Sequence, residues 1–226
     1  MTDWKETLFV WKGILTINND NIKWKGSWVS TNDAINNFPT DNDFVSSDNS
    51  FILYSNTIAK HNDDCLDIKF DNQGYYLLDN GNGLEKFSDI KHNLYCIKDN
   101  DDRWYCYAKG DTEFGPFISK GIMTVISNND GDCDDNDINI SSRSSSNSSS
   151  SISSSRYSLT LARRYVYSKK DSRLNLPIET STRQMIELLS SSSSTSITST
   201  NNEPKPWVDL PMKDKKKQSK KRDRDH

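Results

Sequence analysis

No stretch of this 226-residue chain approaches the ~20 consecutive apolar residues of a membrane-spanning helix. Histidine is scarce as well: His61, His92 and His226 stand apart from any evident nucleophile. There is no GxSxG elbow, no P-loop and no dinucleotide-binding glycine fingerprint. The many serines fall mostly in low-complexity runs, which do not hold a catalytic geometry. Catalysis is left without a motif. The chain reads as non-enzymatic, without a cofactor, and His61 and His92 read as structural. Paired cysteines are missing too, since Cys65, Cys96, Cys106 and Cys133 show no CxxC spacing and no apolar segment follows Met1. This pattern points to a reducing compartment, nucleus or cytoplasm, with unpaired thiols and no membrane. The acidic stretch 130–137 places Asp130, Asp132 and Asp134 at calcium-loop spacing. Asp135 and Ser141 stand where such a loop needs Gly and Glu, so no metal site is expected.

Against these absences stand six Trp, nine Tyr and eight Phe in a chain only 33% hydrophobic. The apolar material is concentrated, most clearly between Leu8 and Val29. There LFVWKGILTI and IKWKGSWV flank the polar NNDN, the pattern of a β-hairpin. If Ile17 and Ile22 close the loop, Trp11 faces Trp28, Gly13 faces Gly26 and Leu15 faces Trp24. Alternation then sorts Phe9, Trp11, Leu15, Ile17, Ile22, Trp24 and Trp28 onto one face, for burial. Lys12, Thr16, Lys23, Lys25 and Ser27 fall on the other.

Downstream, residues 30–50 read as a surface loop anchored by Phe38 and Phe44. Strand patterns follow at Phe51–Ile58, Cys65–Phe70, Gly74–Asp79, Asn93–Ile97 (one strand within 86–97), Arg103–Lys109, Phe114–Ser127 and Arg156–Tyr167. Short strands separated by Gly/Asn turns, with no long helical period, predict an all-β fold: an antiparallel barrel or barrel-like sandwich. The acidic and serine-rich segment 128–155 is too polar to offset its ordering entropy. It reads as a disordered insertion between two strands of one sheet. The expected organisation is a barrel-like domain over 5–176 and a short helix over 177–189, with its pattern at Thr182–Leu189. A disordered basic tail over 190–226 completes it. From Glu203 onward nine Lys/Arg face five Asp/Glu, a tail of +4 on a body of about −7.

Two basic groupings have functional readings. Lys12, Lys23 and Lys25 with Arg163, Arg164, Lys169 and Lys170 form an outer patch, but the aromatics that would stack bases lie on the opposite face. A solvated strand face is the simpler reading. The run Lys215, Lys216, Lys217, Lys220, Lys221 and Arg222 suits a nuclear-import receptor, and nucleic acid as well. Trp207, in PWVDLP just before it, is a candidate partner-docking residue.

Gly110, Phe114-Gly115-Pro116-Phe117, Gly121 and Arg163-Arg164-Tyr165 resemble a pattern of eukaryotic lipocalin-like β-barrel domains. There FG-x-F-x-x-x-G precedes a strand ending in R/K-x-Y, and Trp24–Trp28 looks like the opening G-x-W of such barrels. The resemblance implies that Gly115 and Gly121 turn a barrel corner while Phe114 and Phe117 fill its interior. Two functions follow as expectations. One is a non-catalytic protein-interaction domain, adaptor or complex subunit, in the nucleus. The alternative is a lipocalin-like carrier of a small apolar ligand. Trp11, Trp24, Trp28, Phe114 and Phe117 are expected to fill a small barrel solidly, which favours the first.

Overall fold

A computed structural model describes residues 7–18, 21–32, 38–56, 58–71, 74–79, 81–89, 91–100, 102–126 and 154–193. Trp207, the basic run 215–222, the acidic stretch and most of the serine-rich insertion lie outside these residues.

Strands β1 (Leu8–Asn18) and β2 (Asn21–Thr31) form the expected hairpin in the expected register. Trp11 is opposite Trp28, Gly13 opposite Gly26, Leu15 opposite Trp24 and Ile17 opposite Ile22. The chain continues through helix α1 (Asp41–Val45) and strands β3 (Ser50–Ser55), β4 (Ile58–Asn62), β5 (Cys65–Asp71) and β6 (Gly74–Asp79). Then come β7 (Leu84–Ser88), β8 (Lys91–Lys98), β9 (Arg103–Thr112), β10 (Gly115–Val125) and β11 (Ser155–Tyr165). All eleven strands belong to one antiparallel sheet in the order β4-β5-β8-β9-β10-β11-β1-β2-β3-β6-β7. The all-β expectation holds, and the sheet is a strongly curled half-barrel.

Short connections explain the curl. Two residues join β3 to β4, β5 to β6 and β7 to β8. Each of these strand pairs sits at opposite ends of the sheet order. A two-residue link bridges at most about 11 Å between the flanking residues. The two ends of the sheet are therefore held together, and Cα atoms of β3 and β5 approach within 8 Å. This corrects two sequence expectations. Phe51–Ile58 is two strands, β3 and β4, and 86–97 holds parts of two, β7 and β8. In each case the chain leaves one end of the sheet and enters the other.

The insertion, by contrast, behaves as expected at its flanks. Strands β10 and β11 pair directly, with Val125 opposite Tyr157, so it joins neighbours in one sheet.

Alternation along the strands builds two cores. Inside the curl lie Trp11, Leu15, Trp24, Phe51, Ile68 and Leu94 with their neighbours. Outside, Leu8, Val10, Tyr105, Tyr107, Ile118 and Ala162 are also buried. Helix α1 covers part of this outer face with Phe44, one of the two expected loop anchors, and Phe38 packs half-buried beside it. Thr40 fixes the start of α1 by donating its backbone N–H and hydroxyl to the Asp43 carboxylate, at 2.7 and 2.8 Å. These bonds lower the Asp43 pKa.

After α2 (Ser172–Asn175), helix α3 (Ile178–Ser193) lays Ile178, Thr182, Met185, Ile186 and Leu189 on the outer face. That spacing is one stripe of a 3.6-residue period. The helix is twice as long as the two turns expected from Thr182–Leu189. Its serines and threonines look unsuited to a helix, yet the Ser181 and Thr182 hydroxyls donate to the carbonyls four residues earlier, of Pro177 just before the helix and Ile178 at its start. Lys109 Nζ ties the α2 segment down through the carbonyls of Leu174 and Leu176, at 2.8 and 2.5 Å. Among the described residues no helix is long and apolar enough to cross a membrane.

Candidate functional site: an aromatic cup with a buried polar floor

The interior of the half-barrel is packed at one end and open at the other. Trp24 and Phe117 belong to the packed part, each fully buried. Trp11, Trp28 and Phe114 instead line a cavity of about 330 Å3. Phe9, Tyr76, Leu78 and Tyr165 complete its wall. The five aromatics expected to fill the barrel therefore do not fill it. An eleven-strand sheet encloses more space than they occupy, even though four of them are buried. Trp207 and the basic run 215–222 lie outside the described residues.

Each wall residue is placed by a neighbour. Trp28 stacks on Trp11, with ring centres 6.2 Å apart and planes 17° apart. Its indole N–H donates to the Leu77 carbonyl at 3.0 Å, tying β2 to β6. Phe114 occupies the two-residue turn between β9 and β10 and contacts Phe87 and Tyr165 edge-on or tilted. Gly115 follows at φ 114, a conformation that favours glycine, so this residue closes the β9–β10 hairpin rather than bending a barrel corner. The Tyr165 hydroxyl accepts from Thr112 at 3.3 Å.

Below Trp11 lies a cluster that sequence reasoning missed. Arg163 is 1% exposed, and its guanidinium carbon sits 3.9 Å from the Trp11 ring centre and 3.7 Å from that of Phe117. It does not belong to the outer basic patch where the sequence reading placed it. The signal was present in the alternation itself: Arg163 has the same parity as Leu159 and Leu161, so β11 turns it inward. Its Nη2 donates to Asp89 Oδ2 at 3.3 Å and lies 3.1 Å from His92 Nδ1, which is 3.2 Å from the same carboxylate oxygen. Burial pushes the Asp89 carboxyl up, but the Arg163 charge and the His92 bond outweigh it and hold the group below its ordinary value. For His92 burial prevails over the Asp89 bond and lowers its pKa, keeping the imidazole neutral.

The remaining outer-patch members stay outside. Lys12 is half-buried and pairs with Asp41, Lys169 pairs with Asp111 at 2.6 Å, and neither faces the aromatic cup.

Several buried polar atoms around this floor have no hydrogen-bond partner among the described residues. They include Trp11 Nε1, Arg163 Nε and Nη1, and Asp89 Oδ1. Burial, reinforced by the neighbouring Tyr165, pushes the Tyr76 pKa up, so its hydroxyl keeps its proton as a donor. The site thus combines an apolar cup with a floor of fixed donors. Comparison with protein families, curated proteins and solved structures finds no match for this chain.

Proposed function

We propose that the chain is a non-catalytic binding protein that carries a small apolar molecule in its half-barrel. The supporting observation is the cavity of about 330 Å3 walled by Phe9, Trp11, Trp28 and Phe114. Ligand sites span roughly 300–1,000 Å3 and are mostly apolar with a few placed polar groups, so this one suits a ligand at the small end. A lipocalin-like carrier, as the short G-x-W and FG-x-F motifs suggest, would hold its ligand in this way.

Titration with N-phenyl-1-naphthylamine, a neutral apolar fluorophore, tests the reading. Saturable 1:1 enhancement is expected, and Leu78→Trp, which fills the cup, weakens it at least tenfold. No saturable binding, or no effect of Leu78→Trp, would overturn it.

Protein capture in the nucleus is the second reading, favoured by the Lys/Arg run 215–222 and by Trp207. Deleting residues 203–226 should then abolish nuclear accumulation, and Trp207→Ala should abolish capture of the partner. Unchanged localisation and capture would remove this reading and leave the carrier one intact.

A further inference from the structure

Resting on the carrier reading, we infer that the ligand is a small amphiphile whose head is a carboxylate, received by Arg163, Tyr76 and Trp11. The floor of the cup carries a surplus of donors. Trp11 Nε1 and Arg163 Nε and Nη1 are buried without a partner among the described residues, and the Tyr76 hydroxyl has Thr112 beside it. On the acceptor side the same cluster has two unpaired atoms among the described residues, Asp89 Oδ1 and, with Nδ1 protonated toward Asp89, His92 Nε2, still fewer than the N–H donors. Buried donors left unpaired are costly, and an acceptor-rich group placed among them recovers that cost.

Two of these donors belong to residues that line the cavity, and the third residue, Arg163, lies against the Trp11 ring behind that lining. Trp11 and Tyr76 both line the cavity, with ring centres 5.5 Å apart. Tyr165, also in the wall, lies two residues from Arg163 on the same face of β11, one step of roughly 7 Å toward the mouth. Arg163 is thus the next inward side chain below the wall, stacked beneath Trp11. Asp89 engages only Nη2 of its guanidinium, and a guanidinium has five N–H donors in all. A carboxylate is the ligand group that best matches such donors, through charge-assisted bonds. Its tail would lie among Phe9, Trp28, Leu78 and Phe114.

Displacement of N-phenyl-1-naphthylamine from the full chain by decanoate and by 2-decanone tests the inference. The two compounds share chain length and differ in the charge of the head. Decanoate is expected to bind at least tenfold more tightly. Tyr76→Phe, which removes the hydroxyl while Thr112 keeps its bond to Tyr165, should collapse that preference several-fold. Arg163→Lys keeps a cation beside Asp89 but loses the guanidinium donors, and should collapse it too. Equal affinity for the two compounds, or a preference unmoved by both variants, would overturn the head-group assignment while leaving the carrier reading standing. Binding of neither compound, with no response to the fluorophore, would overturn both.

Discussion

A methyl group at position 13 has nowhere to go. An ideal Cβ there would lie 2.1 Å from the Lys25 carbonyl oxygen and 2.7 Å from the Gly26 Cα. The obstacle is the backbone of β2, where two glycines face each other, rather than crowding between the Trp11 and Leu15 side chains, as the pattern alone suggests. Backbone cannot rotate out of the way as a flexible side chain does. Gly13→Ala should therefore destabilise by about 2 kcal/mol or more, in the range of overpacked cores or above it, and Gly13→Val by more. Equilibrium urea unfolding, followed by tryptophan fluorescence, reads this directly. A neutral Gly13→Val would contradict the Trp11–Trp28 register. Residue-scale logic also explains why Arg163 escaped the sequence reading. Charge suggested a surface position, whereas the parity shared with Leu159 and Leu161 dictated an interior one, and inside the curl parity wins because Asp89 compensates the charge.

Elements were legible where one face is uniformly apolar. The β1–β2 hairpin has seven large apolar residues on one side and lysines on the other, so a one-residue slip would expose every one of them. That fixes register from sequence alone. Strand β7 (LEKFS) offers no such contrast: Leu84 is 49% exposed and only Phe87 packs inward. Its pairing with β6 comes from position at the end of the sheet, which no local pattern encodes. Helix α3 was only half legible because its first turn is rich in Ser and Thr, whose polarity is absorbed by bonds to carbonyls four residues earlier. The cup was legible only in part. Trp11, Trp28 and Phe114 stood out as large aromatics, but whether such residues fill a space or wall it depends on the curvature of the whole sheet. The β10–β11 connection supports an element-scale prediction. Val125 and Tyr157 are cross-strand partners, so the intervening segment closes a loop between adjacent strands. Replacing 127–153 with a four-residue turn should preserve the half-barrel and stabilise it by about 1–2 kcal/mol, from the logarithmic dependence of closure entropy on length. Loss of cooperative thermal unfolding in the shortened chain would show that the segment contributes structure of its own.

At the scale of the whole molecule, the buried Asp89–His92–Arg163 cluster spans the inside of the curl. Asp89 directly follows β7, its backbone N–H bonding the Gly74 carbonyl, while His92 lies on β8 and Arg163 on β11, three strands further along the sheet. Among the described residues, the groups around His92 other than Asp89 favour its neutral state: the rings of Trp24, Phe70 and Phe117 enclose it edge-on, and Arg163 repels a second positive charge. Only the Asp89 carboxylate favours the imidazolium, and burial outweighs it. The folded chain therefore holds His92 neutral at pH values where the unfolded chain protonates it. Below the ordinary value of 6.5 the unfolded state binds the additional proton, so stability falls as pH drops, until the folded His92 protonates in turn. The slope for one proton is at most about 1.4 kcal/mol per pH unit. Asp89 acts in the same direction at lower pH. Its folded pKa is below 3.8, so the stability that its ionised form provides is present above that value and is lost as pH falls through the folded one. Unfolding free energy should thus decline in two stages, the first beginning near pH 6.5. His92→Gln, neutral and still able to donate to Asp89, should flatten the first stage and spare the second. Urea titrations of both proteins between pH 8 and pH 3 separate the two contributions. A first stage that persists in His92→Gln would place the proton uptake elsewhere and reduce the cluster to packing.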